Sequence, residues 1–188
     1  MGCAMIALVR HLARRFARFA NERRGLAAIE FAMLLPMLMT LYLGSVEVTT
    51  GVAVQRKVTL TARALADLSS QFTTIANADM SNILNASSDI IAPYAAANLQ
   101  SVVSELSVNA QGQASVVWSD TLNGTARPVG QIVTIPNSLA VANTYLILGE
   151  AQYSYNPTYG YVVTGTLTLS DQIYMRPRQS NAVTRQDS

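Results

Sequence analysis

The chain has 188 residues, half of them hydrophobic, which leaves room for one membrane segment and one modest globular domain and excludes two large domains. Its formal net charge of +2 is unevenly placed, because residues 1–24 carry six arginines and one acid, a net +5, while residues 25–188 carry −3. The high pI therefore belongs to a leader and gives no support for nucleic-acid binding by the folded part.

A basic leader, residues 1–25, contains the sole cysteine, Cys3, and the sole histidine, His11. The rest of the chain therefore cannot form an internal disulfide, a triad with histidine or a histidine metal site. It also contains no phosphate loop or dinucleotide fingerprint, and its acids show no motif spacing (Glu105, Asp120, Glu150 and Asp171). The sequence thus predicts neither an enzyme nor a cofactor or metal site.

An apolar segment follows at residues 26–47. As a helix, the part from Leu26 to Val46 would extend about 31 Å, which matches a hydrocarbon core of about 30 Å. It is too long for a secretory signal, whose apolar region has roughly 7 to 15 residues. Arg23, Arg24 and the other leader arginines predict a cytoplasmic N-terminus and an exported remainder. Pro36 is predicted to bend the helix, which suggests a packing partner.

Glu30 places a carboxyl group within this apolar segment. A carboxylate at the centre of a membrane helix costs on the order of 2.5 to 3.5 kcal/mol by insertion scales. One interpretation is an interfacial glutamate near Arg23 or Arg24. The other is a functional group, and the residues around it favour that interpretation.

The sequence RRGLAAIE, Arg23 to Glu30, resembles the processing site of type IV prepilins. The resemblance implies that a prepilin peptidase cuts after Gly25, that Leu26 gains a free amine, and that Glu30 becomes the fifth mature residue. In pilin-like filaments this amine is thought to meet the glutamate of an adjacent subunit. Two opposite charges about 4 Å apart are worth about 4 kcal/mol at an effective dielectric of 20, which is of the same order as the insertion cost.

Residues 48–100 are predicted to be a helical region. An apolar stripe at helical spacing extends the first helix to about Phe72, and Asn77 or Asp79 is predicted to cap a second helix. Helical structure is predicted to end by Pro93.

Residues 101–178 are predicted to form an antiparallel β region. Alternation of apolar and polar residues on both sides of Gly112 predicts a half-buried hairpin, and further strands are expected at 144–155 and about 164–175. Residues 179–188 are predicted to be a tail. The order of elements predicts an α+β fold in which a long N-terminal helix packs on a small, pilin-like antiparallel sheet.

Four residues of the β region are candidates for an interface. Tyr153 and Tyr155 suit a contact surface, with core packing across the sheet as the alternative. Arg176 and Arg178 are candidates to contact a neighbouring subunit or an anionic headgroup. The alternative is that they end the last strand in solvent.

The segments GLAAIEFAMLLPML, VVWS, EAQYSYNP and YMRPR together resemble the TadE-like family of tight-adherence (Flp) type IV pilus assembly proteins, the minor pilins or pseudopilins of that system. The resemblance implies a bacterial inner-membrane protein that crosses once, with a periplasmic C-terminal domain and a place in a surface pilus. Its partners would be a prepilin peptidase, other pilins and the pilus assembly platform. The alternative is an uncleaved single-pass anchor that scaffolds a pilus or secretion complex through its periplasmic domain.

Overall fold

The computed structural model describes residues 23–157 and 165–186. The chain divides into two compact units, an amino-terminal unit that ends at Val46 and a carboxy-terminal unit, Glu47–Ser188. Helix α1, Arg23–Ser70, belongs to both. Helix α2, Asn77–Ile91, lies in the carboxy-terminal unit.

The described part of the amino-terminal unit, residues 23–46, is an apolar stretch of α1. The helix continues through Pro36, whose carbonyl accepts a hydrogen bond from Oγ1 of Thr40 at 2.9 Å. An 18-residue window of this helix has a mean hydropathy of 1.9, and none of it is buried within the structure. The helix is therefore long and apolar enough to cross a membrane.

The carboxy-terminal unit contains a five-stranded antiparallel sheet in the order β4-β3-β2-β5-β6. Its strands are β2 (Leu99–Val108), β3 (Ala114–Leu122), β4 (Ile132–Val133), β5 (Thr144–Tyr155) and β6 (Leu167–Met175). Two short strands, β1 (Thr74–Ala76) and β7 (Thr184–Gln186), form a separate parallel pair. A long helix that precedes and packs on an antiparallel sheet confirms the predicted α+β class.

The second half of α1, residues 47–70, packs on β5. The predicted apolar stripe is confirmed, since its Val54 and Val58 share a buried cluster with Ala62 and with side chains of β5. At the closest approach lies Gly149, where an added Cβ would be 2.4 Å from the carbonyl oxygen of Ala62. Only glycine therefore lets the helix backbone lie this close to the strand.

Helix α2 covers the same face of the sheet beside α1. Its Met80, Ile83 and Leu84 join one core cluster with Leu65 of α1 and Trp118 of β3. A hydrogen bond fixes each end of α2. The N-cap residue is Ala76, whose N–H donates to the Asp79 carboxylate at 3.3 Å, so the prediction that Asn77 or Asp79 is the cap is wrong by one or more positions. At the other end, Lys57 donates to the carbonyl of Ile90 at 2.8 Å.

The opposite face of the sheet, the outer face, is covered only in part. Ile135 and Leu139, from the connection between β3 and β5, pack on Leu106, Leu146 and Leu148. This layer buries both faces of β2 from residue 103 to 106, so the predicted half-buried strand is wrong at this end of the sheet. The rest of the outer face is mainly polar, with Val102 lying among glutamine side chains.

The C-terminal segment, residues 176–186, packs against the core. The Val183 side chain is fully buried in the cluster around Leu65, and the Thr184 N–H donates to the carbonyl of Thr73 at 3.0 Å. The residues expected to form a tail thus include a strand and a core side chain.

Candidate functional site

The predicted cleavage site lies within α1, two residues after Arg23, where the described part of the chain begins. The bond between Gly25 and Leu26 is therefore part of the helix in this structure. An added Cβ at Gly25 would meet none of the described residues within 4 Å, so packing against this part of the chain does not require glycine here.

Glu30 lies one helical turn after Leu26, about 6 Å further along the axis. Its side chain is exposed, and within the described residues it forms no ion pair. The orientation predicted from Arg23 and Arg24 concerns side chains and a leader, residues 1–22, that lie outside the described part of the structure.

The surface around Glu30 is apolar on all sides of the helix. The large apolar side chains from Leu26 to Tyr42 have exposed fractions between 43% and 77%. A helix that is apolar all round is normally covered by lipid or by other helices. In the isolated chain, the carboxyl group of Glu30 therefore lies in a surface that lacks any other charged side chain from Leu26 to Val46.

The two candidate interface tyrosines are buried inside the carboxy-terminal unit. Tyr153 and Tyr155 are 4% and 8% exposed and lie in the cluster that joins β5 to α1. The Tyr153 ring packs edge-on against Tyr94, with ring centroids 6.4 Å apart. The contact-surface interpretation is therefore wrong for these two residues, because they face α1. Tyr159, the next tyrosine along the chain and a candidate for the same contact surface, lies outside the described residues.

The two candidate arginines differ from each other. The guanidinium of Arg178 pairs with the Asp67 carboxylate on α1, and the backbone N–H of Arg178 donates to the carbonyl of Ser70 at 2.8 Å. It therefore anchors the C-terminal segment within the chain, which neither predicted alternative describes. Arg176 is exposed at the end of β6.

A buried carboxyl group that sequence reasoning treated as one of several scattered acids is Glu105. It is 1% exposed, and the Val183 N–H donates to its Oε1 at 2.5 Å. The indole of Trp118 donates to the carbonyl of the same Val183 at 2.7 Å. Burial raises the pKa of Glu105 from 4.5 to about 7, while the hydrogen bonds from Val183 and Trp118 act in the opposite direction. The sequence signal that could have identified Glu105 as buried was its position in β2, two residues after Val103 and therefore on the same face of the strand.

Two further acids of the unit, Glu150 and Asp120, form ion pairs with arginines. Arg127 forms two hydrogen bonds with Glu150, and Arg185 pairs with Asp120 at 2.9 Å. Among residues 23–157 and 165–186, no group of three or more His, Cys, Asp or Glu side chains is placed to hold a metal ion.

Comparison with known proteins finds one family match, which lies within α1. The model of a family described as TadE-like protein matches residues 25–67, which begins at Gly25 and covers α1 almost to its end. No curated protein and no solved structure matches the chain significantly. The TadE-like family is a structural family associated with the Tad pilus. Residues 25–67 are therefore similar to the TadE-like family, which confirms the resemblance drawn from the segment GLAAIEFAMLLPML, whereas the segments VVWS, EAQYSYNP and YMRPR lie outside the match.

Proposed function

We propose that this protein is a minor pilin or pseudopilin of a tight-adherence pilus, cleaved after Gly25 and assembled through α1. The observation that carries the proposal is the TadE-like match, which starts at the residue after which the cut would fall. Cleavage there removes the arginine-rich leader and leaves an apolar helix with a free amine at Leu26. Such a chain has a structural role and no catalytic one.

The exposed Glu30 supports assembly with other subunits. In lipid its carboxylate would cost on the order of 2.5 to 3.5 kcal/mol. An amine of an adjacent subunit about 4 Å away would contribute about 4 kcal/mol at an effective dielectric of 20. The pairing would thus offset the insertion cost and favour docking in one register, in which Pro36 would lie beside a packing partner.

The proposed topology has one crossing of the bacterial inner membrane. The leader, residues 1–25, lies in the cytoplasm because of its arginines, and residues 26–47 cross the bilayer. Residues 48–100 and the β region at 101–178 then lie in the periplasm. The partners are a prepilin peptidase, other pilins and the assembly platform, which the exposed Arg176 is free to contact.

The second candidate function is an uncleaved single-pass anchor that scaffolds a pilus or secretion complex. The intact mass of the membrane-extracted protein distinguishes the two. Processing gives an N-terminus at Leu26, whereas an uncleaved anchor retains Met1 or Gly2. Recovery of the native protein with its leader intact in assembled pili would contradict the proposal.

The variant Gly25→Val tests whether the glycine itself is required. A β-branched side chain restricts the backbone next to the scissile bond, so the mass of the extracted variant should show a retained leader. Ala28→Val is the matched control, since it adds the same side chain to an exposed position of the same helix. Equal processing of both variants would show that Gly25 is not recognised.

The variant Glu30→Ala tests assembly separately from processing. It should be cleaved normally, because the scissile bond is unchanged, yet we expect at least tenfold less of it in sheared pili. Met33→Ala is the control, as it shortens an equally exposed side chain of α1 without removing a charge. Normal incorporation of Glu30→Ala would refute the pairing with a neighbouring amine.

A further inference from the structure

The polar part of the outer face of the sheet contains a groove with a volume of about 790 Å³. Its floor is formed by β2, β5 and β6, and the loop after β3 forms a wall with Arg127 and Gln131. A volume of this size lies within the range of about 300 to 1,000 Å³ that is typical of small-molecule sites. The groove lies on the face of the sheet opposite α1, within the carboxy-terminal unit.

Glutamine side chains dominate the hydrogen-bonding groups of this groove. Gln100 of β2 lies directly opposite Gln152 of β5, and Gln172 of β6 lies opposite Glu150 in the next row of the sheet. The side chains of Gln100, Gln131, Gln152 and Gln172 are exposed, and within the described residues their amides form no hydrogen bond. Each amide therefore offers donors and an acceptor to a ligand.

The guanidinium of the groove, that of Arg127, is paired within the protein. Nε and Nη2 of Arg127 donate to the two carboxylate oxygens of Glu150 at 2.7 and 2.6 Å. Asp171 also borders the groove, but its carboxylate accepts a hydrogen bond from Thr59 of α1 at 2.5 Å. With its cation already paired, the groove lacks the free positive charge that phosphate, sulfate or carboxylate ligands require. Its chemistry suits a neutral ligand.

Two classes of neutral ligand are an extended peptide and an oligosaccharide, and the backbone of the groove floor distinguishes between them. An extended peptide is usually held by the free backbone groups of an edge strand. Here β5 is paired on both sides by β2 and β6, and at the edge strand β6 the carbonyl of Ser170 already accepts a hydrogen bond from Gln55 at 3.3 Å, so the groove offers mainly side-chain groups. Hydroxyl groups both donate and accept, as amides do, and Val102 and Pro128 add apolar surface for the C–H groups of a sugar ring.

We propose that this groove binds a neutral oligosaccharide through the amides of Gln100, Gln131, Gln152 and Gln172. The inference stands on the groove itself and does not depend on the pilus assignment. The ligand spans the two rows of side chains formed by β2, β5 and β6, with the paired Arg127 and Glu150 at its side.

The test uses the full chain in an amine-oxide detergent, because the sugar heads of a maltoside detergent would compete for the groove. A glycan array carrying short neutral oligosaccharides, together with sulfated and sialylated ones, identifies the ligand. The strongest neutral binder is then titrated calorimetrically against the wild type, Gln100→Ala and Gln152→Ala. Gln111→Ala is the matched control, since this exposed glutamine lies in the β2–β3 turn, away from the groove.

We expect neutral oligosaccharides to bind and each groove variant to weaken binding roughly three- to tenfold, as the loss of one hydrogen-bonding group predicts. Gln111→Ala should bind like the wild type. All variants should retain the wild-type unfolding midpoint, because the altered side chains are exposed. Absence of any neutral binder, binding of anionic glycans alone, or unchanged affinity in both groove variants would overturn the inference.

Discussion

The substitution Glu105→Gln should remove most of the pH dependence that this carboxyl group gives to the stability of the carboxy-terminal unit. The group is almost fully buried, and burial raises its pKa from 4.5 to about 7. Above pH 4.5 the unfolded chain releases this proton first, while the folded state retains it until about pH 7. The folded state then binds more protons than the unfolded state, so the free energy of unfolding falls as the pH rises.

The size of the effect follows from the two pKa values. At about 1.4 kcal/mol per pKa unit, the rise from 4.5 to about 7 corresponds to about 3 kcal/mol, lost between pH 4.5 and about pH 8. The amide of Glu105→Gln stays neutral at every pH and still accepts from the Val183 N–H. Its free energy of unfolding should therefore lack this loss, and it should exceed that of the wild type most clearly at about pH 8.

Urea unfolding of the full chain in detergent, followed by tryptophan fluorescence, measures this difference. The probe is local, because Trp118 is the sole tryptophan and contacts Val183. With an m value of about 1.5 kcal/mol per molar urea, 3 kcal/mol corresponds to a midpoint shift of about 2 M. Asp89→Asn removes an exposed carboxylate and should follow the wild-type curve. If wild type and Glu105→Gln midpoints move in parallel with pH, the burial argument is wrong.

Two further substitutions test the packing of the helices. Gly149→Ala should destabilise the unit by about 1 to 3 kcal/mol in the same assay, because its Cβ would overlap the backbone at Ala62; Gly51→Ala, whose Cβ would meet only an ordinary contact at 3.8 Å, should not. Equal stability of the two variants would contradict the close approach. Lys57→Met should cost about 1 kcal/mol and speed hydrogen exchange in the last turn of α2, because the Ile90 carbonyl loses its donor; unchanged exchange there would show that this contact contributes nothing.

The elements that sequence reasoning located correctly have strong local signals. Strand β5 has the predicted bounds, Thr144–Tyr155, because twelve residues alternate between α1 and the outer face. The hairpin forms around Gly112, whose φ of +78° favours glycine. Short-range patterns of this kind depend on neighbouring residues alone.

The elements that it missed depend on contacts between distant segments. Strands β1 and β7 have three residues each, too few for a periodic pattern, and they pair only because the chain brings Ile75 beside Arg185. The role of Tyr153 and Tyr155 was ambiguous in the sequence for a related reason. Alternation placed Tyr153 and Tyr155 on one face of β5, but it could not show that α1 covers that face.

The candidate site divides in the same way. The order of Gly25, Leu26 and Glu30 is visible in the sequence, as is the family that the comparison then found. The hydrogen bond from Val183 to Glu105 and the groove of exposed amides arise only when the sheet is assembled. In the sequence, the hydrogen bond to Glu105 was indicated only by the presence of an acid at a position of β2 that faces the interior.

The position of Val183 has a consequence for biosynthesis. The Val183 side chain is buried beside Trp118, and its backbone N–H donates a hydrogen bond to Glu105, which lies 78 positions earlier in the chain. A ribosome therefore adds the residue that closes this shared interior only after it has synthesised α1, α2 and the strands of the five-stranded sheet, the last of which ends at Met175. Until then the nascent polypeptide keeps an open apolar flank that chaperones and proteases can reach.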